Sequence, residues 1–432
     1  MRLKLLLINP WIHDFAAYNL WSRPLGLLNV AEYLSQFDVE IKMIDCTDSF
    51  TLKRYGSGRF NSEIIQKPPL LKDIPLFYKR YGISMDEFII RVKEFAPFDC
   101  VLMTSIMSYW YPGVQYTINV IRDIVGNVPI ILGGIYSTIY HEHASENSGA
   151  DFIYKGHVDD SLSFALYTFG FKLKRKRKKI PYYHLGLYMQ YPFVPLLTST
   201  GCPFHCTYCA SKILTQNYQR RSPESVLKEI IEYHHMGIHD IAFYDDALLV
   251  NVEDHIKPIL KGVVDHKLNL RFHTPNGLHA KSIDDELARL MKEANFKTIR
   301  LSLETINPSR QKQTGGKVNN EDLRNAVIYL KQRGFTKQEI GVYLMYGLPG
   351  QDLEEVEEGI AFLKDLGVRI NLTEFSPIKG TKAWNELLRK GVITDNLDPL
   401  LTNNSVFSYL YSDYNKEKLK AIKLDVNRYN LA

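Results

Sequence analysis

Apolar and polar positions in the N-terminal part of the chain follow two periods in turn. LKLLLIN at 3 to 9 is an unbroken apolar run. PLGLLNVAEYLSQF at 24 to 37 puts Leu27, Leu28, Ala31 and Leu34 on one helical face, and VEIKMID at 39 to 45 alternates through Val39, Ile41 and Met43. The pattern predicts strand, helix, strand. After an irregular stretch rich in Tyr, Gly and Pro (about 49 to 84) it resumes with FDCVLMTS, a helix from about 114 to 125, VPIILGG and ADFIYKG. Strands alternating with helices imply a parallel doubly wound (Rossmann-like) sheet, whose ligands sit beyond the carboxyl ends of its strands. Those ends read Asn9, Asp45, Thr104 and Ser105, Gly133 and Gly134, and Gly156.

The alternation returns further along. Strands are expected at 194 to 200, 240 to 246, 270 to 276, 298 to 304, 340 to 347 and 369 to 377, with amphipathic helices such as SPESVLKEIIEYHHMG and DLEEVEEGIAFLKDLG between them. Six βα units predict a partial (βα)6 TIM barrel, open on one side. The expected organisation is an α/β Rossmann-like domain over 1–170, a basic linker over 171–192, the partial barrel over 193–385, and a short, mainly helical extension over 386–432.

Composition adds bounds. The 432 residues are 45% hydrophobic and 23% charged, a globular balance. The net charge of +5 is local: KLKRKRKK at 172 to 179 holds seven positive charges, so the remainder is −2. Such a run is ordinarily solvated, and nucleic-acid binding is not expected from it. No 18-residue apolar run and no leader are apparent, so no membrane span is expected and the localisation reads as cytoplasmic. Of five cysteines, Cys46 and Cys100 lie in apolar strand runs and read as buried hydrophobes.

The other three cysteines crowd into TSTGCPFHCTYCAS at 198 to 211, as C-x3-C-x2-C, just past the first strand of the second half. Barrel enzymes place reacting groups there. A zinc site would need His205 as a fourth ligand between two of the cysteines, and a disulfide would leave one thiol over in a reducing compartment. Three thiolates on an iron-sulfur cluster leave one iron open to a substrate or cofactor.

At this spacing the sequence resembles the radical S-adenosylmethionine (SAM) superfamily, with an aromatic residue, Tyr208, before the last cysteine. FYDD at 243 to 246, IRLSLET at 299 to 305, GVYLMYGLPGQ at 341 to 351 and FSPIKGT at 375 to 381 are similar to that family's later strand ends, in its order. The resemblance implies a 4Fe-4S cluster held by Cys202, Cys206 and Cys209, SAM on the open iron, and reductive cleavage of SAM to a 5'-deoxyadenosyl radical. It assigns SAM contacts to Tyr208, to Asp245 or Asp246, to Glu304 and to Gly347, and implies a reducing partner such as flavodoxin or ferredoxin.

The first half resembles the cobalamin-binding branch of the same superfamily, through PLGLLNVAEYL, LGGIYST and ADFIYKG. Gly133, Gly134, Tyr136 and Ser105 are then the candidates for cobalamin contact. Tyr136 stands where His is frequent, and D-x-H-x-x-G is absent. This implies a cobalamin-dependent methyltransferase acting on an unactivated carbon of a small-molecule or peptide substrate. The alternatives are a radical SAM enzyme without cobalamin, doing rearrangement, oxidation or coupling, and, more remotely, a non-catalytic metal- or RNA-binding module.

Overall fold

Apolar strand faces need helices packed over them, and this requirement shapes each half of the chain. The computed structural model describes residues 2–52, 58–176 and 178–432. The chain forms two units: the described residues up to Tyr191 with Leu397–Val406, and Pro192–Asn396 with Phe407–Ala432. Among the described residues, no helix is long and apolar enough to cross a membrane.

The first unit is built on strands β1 (Leu3–Asn9), β2 (Val39–Asp45), β3 (Cys100–Met103), β4 (Ile130–Leu132) and β5 (Phe152–Ile153). All pair in parallel in the order β5-β4-β3-β1-β2, a doubly wound sheet. Helix α1 (Leu25–Leu34) follows β1 and buries Leu27, Leu28, Ala31 and Leu34, the face that periodicity marks. Helices α2 (Met85–Phe95), α3 (Tyr111–Val125) and α4 (Asp160–Tyr167) complete the alternation; Ser84 caps α2 through the Glu87 amide. Cys46 and Cys100 are fully buried.

The stretch from 49 to 84, of which 53–57 lie outside the described residues, is not wholly irregular. Ile12–Asp14, Lys79–Tyr81 and Ser62–Ile64 form one small antiparallel sheet, and Tyr18–Asn19, Gly58–Phe60 and Phe50–Thr51 another. Strands of two or three residues are too short to show a period. In the basic run, Arg177 is outside the described residues. Its neighbours are tied to the end of α1: Arg175 donates to Gln36, Lys176 pairs with Asp38 at 2.9 Å and Lys179 with Glu32 at 2.6 Å.

The second unit lays β6 (Val194–Leu196), β7 (Asp240–Phe243), β8 (Arg271–His273), β9 (Phe296–Glu304), β10 (Ile340–Tyr346) and β11 (Arg369–Glu374) side by side in chain order, all parallel. Helices α5 (Pro223–His235), α6 (Ile256–Asp265), α7 (Asp285–Glu293), α8 (Asn320–Gln332) and α9 (Leu353–Asp365) connect them. Phe243, Phe272 and Phe296 lie ring against ring, centroids 5.3 to 6.0 Å apart, across β7, β8 and β9. Helices α10 (Lys382–Arg389) and α11 (Lys416–Leu431) follow the last strand.

One half-buried carboxylate ties the segment after the basic run to α1. Burial alone would raise the Glu32 pKa, but hydrogen bonds from His184 and Lys179 outweigh it and hold the carboxyl at about 2, against an ordinary 4.5. A depressed carboxyl stabilises the fold above its unfolded pKa, and the contribution disappears as pH falls through the folded one. Urea unfolding of the cluster-free protein is therefore expected to lose stability between about pH 4.5 and about pH 2 and Glu32→Gln is expected to flatten that slope. An unchanged slope in the variant contradicts this role.

Candidate active site

The cysteine loop leaves β6 through Thr198 and Ser199, and a buried carboxylate fixes that exit. Asp245, at the end of β7 and 3% exposed, accepts from the Thr198 amide at 3.0 Å, the Thr198 hydroxyl at 2.7 Å and the Ser199 hydroxyl at 2.6 Å. Thr198 Oγ1 in turn meets His255 Nε2 at 2.8 Å. Burial raises the Asp245 pKa despite these donors. Its neighbour Asp246 is exposed. The two carboxylates that the sequence leaves undecided thus differ: one is committed to the loop, the other is available to a ligand.

Gly201 turns the loop at φ +72°, where a side chain would come within 2.5 Å of the Asn217 carbonyl. Cys202 is buried, Cys206 half-buried and Cys209 exposed. Burial pushes the Cys202 thiol up to about 11, and the other two thiols push the same way. Among the described residues, no group of three or more His, Cys, Asp or Glu is arranged to hold a single metal ion. The fit to a cluster rests instead on the donor set, three mutually interacting thiols, and on Gly315, where a Cβ would come within 3.1–3.3 Å of Cys206.

Glu304 ends β9 beyond a register shift at 302 to 304 and adopts φ +66°, a conformation costly for any residue but glycine. Its carboxylate accepts from Lys317 Nζ at 2.8 Å. The Tyr208 hydroxyl is buried beside it without a hydrogen bond of normal geometry; burial, then Glu304, drive its pKa well up. Lys317 stands 6.0 Å from the Tyr208 ring centroid and in the field of Cys206. His279 packs on Phe204 of the cysteine loop at 4.2 Å, and burial with Lys317 lowers its pKa to about 3. Cysteines, tyrosine, carboxylate, lysine and imidazole therefore share one end of the sheet.

The turn after β10, Gly347 to Gln351, is clamped from two sides. Arg310 donates to the carbonyls of Pro349 at 2.8 Å and Gly350 at 2.9 Å while pairing with Glu355 at 3.0 Å. The Tyr414 hydroxyl accepts from the Gly347 amide at 3.1 Å and donates to the Gln351 carbonyl at 2.9 Å. Lys317, His279, Arg310 and Tyr414 carried no mark in the sequence. The one available signal was the polar Lys317 directly after the Gly315-Gly316 pair.

In the first unit, the ends of β1 and β2 are filled: Asp45 accepts from Asn9 at 2.7 Å and from Tyr188 at 2.7 Å, with Arg23 beside it at 3.6 Å. The room lies over β3 to β5. A cavity of about 490 Å³ is lined by Leu27 and Val30 of α1, Leu102 and Thr104 of β3 and its end, Gly133, Gly134 and Tyr154. Gly134, at φ +99°, lets the ends of β3 and β4 meet, since a Cβ there would lie 2.3 Å from the Ser105 carbonyl. Ser105 Oγ donates to the Gly133 carbonyl at 2.8 Å. Tyr136 is fully buried, with its hydroxyl on His143 at 2.7 Å and its ring stacked on Tyr111, and does not line the cavity.

Residues 196–363 match the Radical SAM superfamily model, a span from β6 into α9 that contains all three cysteines and Glu304. These residues form a radical SAM domain. Over 90% of its own length and 82% of the relative's, the chain is 21% identical to cytidylyl-2-hydroxyethylphosphonate methyltransferase of Streptomyces wedmorensis. Two solved structures share its fold. One is the radical SAM methyltransferase TsrM of Kitasatospora setae, with cobalamin and a [4Fe-4S] cluster bound: TM-score 0.65, 17% identity, covering 90% of this chain and 78% of TsrM. The other is the cobalamin-dependent SAM radical enzyme OxsB with aqua-cobalamin and SAM bound, with TM-score 0.56, 14% identity, covering 99% of this chain and 61% of OxsB.

The two neighbouring aspartates in the radical SAM domain should separate experimentally. Removing a buried acceptor strands its donors at about 1–3 kcal/mol each group, whereas an exposed substitution stays within about 0.5 kcal/mol. Asp245→Ala is expected to destabilise the domain by about 2–4 kcal/mol in chemical denaturation, and to speed amide exchange at Thr198 and Ser199. Asp246→Ala is expected to do neither.

Proposed function

We propose that this protein is a cobalamin-dependent radical SAM methyltransferase that acts on an unactivated carbon. The observation that carries the reading is one chain holding both a three-cysteine loop at the strand ends of a radical SAM domain and a 490 Å³ cavity at the strand ends of a doubly wound sheet. The methyltransferase relative aligned over 90% of the chain, and the cobalamin bound in TsrM and OxsB, support it.

When bound, the cluster supplies one electron to the sulfonium of SAM, and the corrin carries a methyl group between SAM and substrate. The chain's own residues bind, orient and shield. Cys202, Cys206 and Cys209 ligate three irons, and Gly315 leaves room for the cluster beside Cys206. Glu304 receives the ribose hydroxyls; Lys317, already on its Oε1, faces the carboxylate of SAM. Asp246 takes the amino group, while Asp245 is a positioning residue that holds Thr198 and Ser199 at the loop's exit. Tyr208 closes the aromatic side, and the clamped turn from Gly347 lies along the adenine, held by Arg310 and Tyr414.

In the first unit, Gly133 and Gly134 admit the corrin's nucleotide tail to the cavity between α1 and α4, with Ser105 fixing the glycine pair. Tyr136 takes no part in this, being spent on His143 and Tyr111. The reducing partner is a one-electron carrier such as flavodoxin or ferredoxin, in keeping with a cytoplasmic protein.

Anaerobic reconstitution followed by titration with hydroxocobalamin, read by visible absorption, tests the reading. The wild type is expected to bind the corrin, and Gly134→Val to bind it at least about tenfold more weakly, a loss of about 1.4 kcal/mol or more. With reductant, the wild type is expected to convert SAM to 5'-deoxyadenosine and Cys206→Ala to form none. Cleavage of SAM by a protein that never binds the corrin would leave a radical SAM enzyme of another kind.

A further inference from the structure

The face of the second sheet that looks away from its helices carries a charge imbalance. Side chains alternate across a strand. Leu344 packs on α9, since a side chain at Gly359 would meet it at 2.9 Å, so Gly341, Tyr343 and Met345 face the other way. Register places Arg300 and Arg369 on either side of Gly341, and Ser302 and Asn371 on either side of Tyr343. This is the inner face of the radical SAM domain.

Arg300 is only 5% exposed. Its guanidinium lies over Gly341, where a Cβ would come within 2.9 Å of it and within 2.5 Å of Asn371 Oδ1. Among the described residues its side chain makes one hydrogen bond, to the Ile299 carbonyl at 3.1 Å, and pairs with no carboxylate. After the Tyr343 phenol, which favours its charge, the next group to act on it is a second cation, Arg369, whose own partner is the neutral Gln338 at 3.3 Å. Burial, opposed by Tyr343 and reinforced by Arg369, brings the Arg300 pKa down to about 10, so the charge persists at neutral pH. Asn371 Oδ1 is buried and accepts no hydrogen bond.

The acids that might have balanced these cations are committed. Asp240 is held by Arg271 and His273, and Glu304 by Lys317. A buried cation without a counter-ion costs several kcal/mol, and a deep, dry guanidinium fork is matched by a planar or tetrahedral oxyanion. We propose that Arg300 and Arg369 bind an oxyanion of the substrate, a phosphate, phosphonate or carboxylate, and that Asn371 Oδ1 accepts an O–H or N–H from the same molecule. This rests on the reading that the inner face of the radical SAM domain receives the substrate. Arg300 lies four residues before Glu304, roughly 13 Å along the strand, so the anion sits at the far end of the substrate from its reacting carbon.

Inorganic phosphate, which carries both an oxyanion and an O–H, is the probe. Thermal unfolding of the full-length protein is followed against phosphate at constant ionic strength, with chloride as the balancing salt. The wild type is expected to gain Tm saturably, because a ligand that binds only the folded state raises its stability. Arg300→Met is expected to abolish the gain. Arg369→Gln, at a half-buried position whose loss the fold tolerates better, is expected to weaken phosphate at least about fivefold. No gain in the wild type, or equal gains in all three proteins, overturns the proposal. With saturating SAM present, the phosphate response is expected to persist; if SAM abolishes it competitively, the cations serve the carboxylate of SAM and the substrate assignment falls. None of these readouts uses the corrin or SAM cleavage, so failure here is distinct from failure of the methyltransferase reading.

Discussion

Parallel pairing sends every strand of a sheet out at the same edge, and the chemistry of both units depends on that constraint. In the radical SAM domain it brings the cysteine loop after β6, Asp246 after β7, Glu304 at the end of β9 and the Gly347 turn after β10 to one rim, although they span well over a hundred residues of sequence. In the first unit it brings Thr104 and Ser105 together with Gly133 and Gly134. Helix-covered parallel strands must be apolar on both faces, and so the reactive groups are confined to the ends and to the one uncovered face.

The polar groups around the rim divide into those that hold the loops and those left to act. Asp245 is buried with its donors fixed, so it sets the position of the cysteine loop. Glu355 gathers Arg310, Gln351 and Thr305, and thereby joins the segment after Glu304 to the turn after β10. Glu304 and Lys317 are paired at the rim, the carboxylate buried, and the positive φ of Glu304 is a cost that a purely structural carboxylate would not need. Arg300 and Arg369 stand apart from all of these, as cations that pair with no acid among the described residues.

Much of this was legible from periodicity. The period-2 and period-3.6 runs place β1 to β11 to within a few residues, because strands covered by helices must be apolar and helices packed on them must be amphipathic. The cysteine spacing and the glycine pair were visible because each needs particular residues at adjacent positions. Lys317, Arg310, Tyr414 and His279 were not, because each meets its partner through a crossover whose length conveys nothing about the meeting. The two small antiparallel sheets of the first unit escaped for a different reason: their strands are shorter than one full alternation. The difference in burial between Asp245 and Asp246 also needed coordinates, since burial of adjacent identical residues depends on which way the strand end turns.

The central claim is that one chain spends SAM in two ways, as methyl donor and as radical source. It is tested most directly by the ratio of two products. Reconstituted protein with hydroxocobalamin, reductant, SAM and substrate is predicted to form S-adenosylhomocysteine and 5'-deoxyadenosine together, in about equal amounts, with S-adenosylhomocysteine lost when the corrin is omitted. Formation of 5'-deoxyadenosine alone, whether or not the corrin is present, would contradict the account.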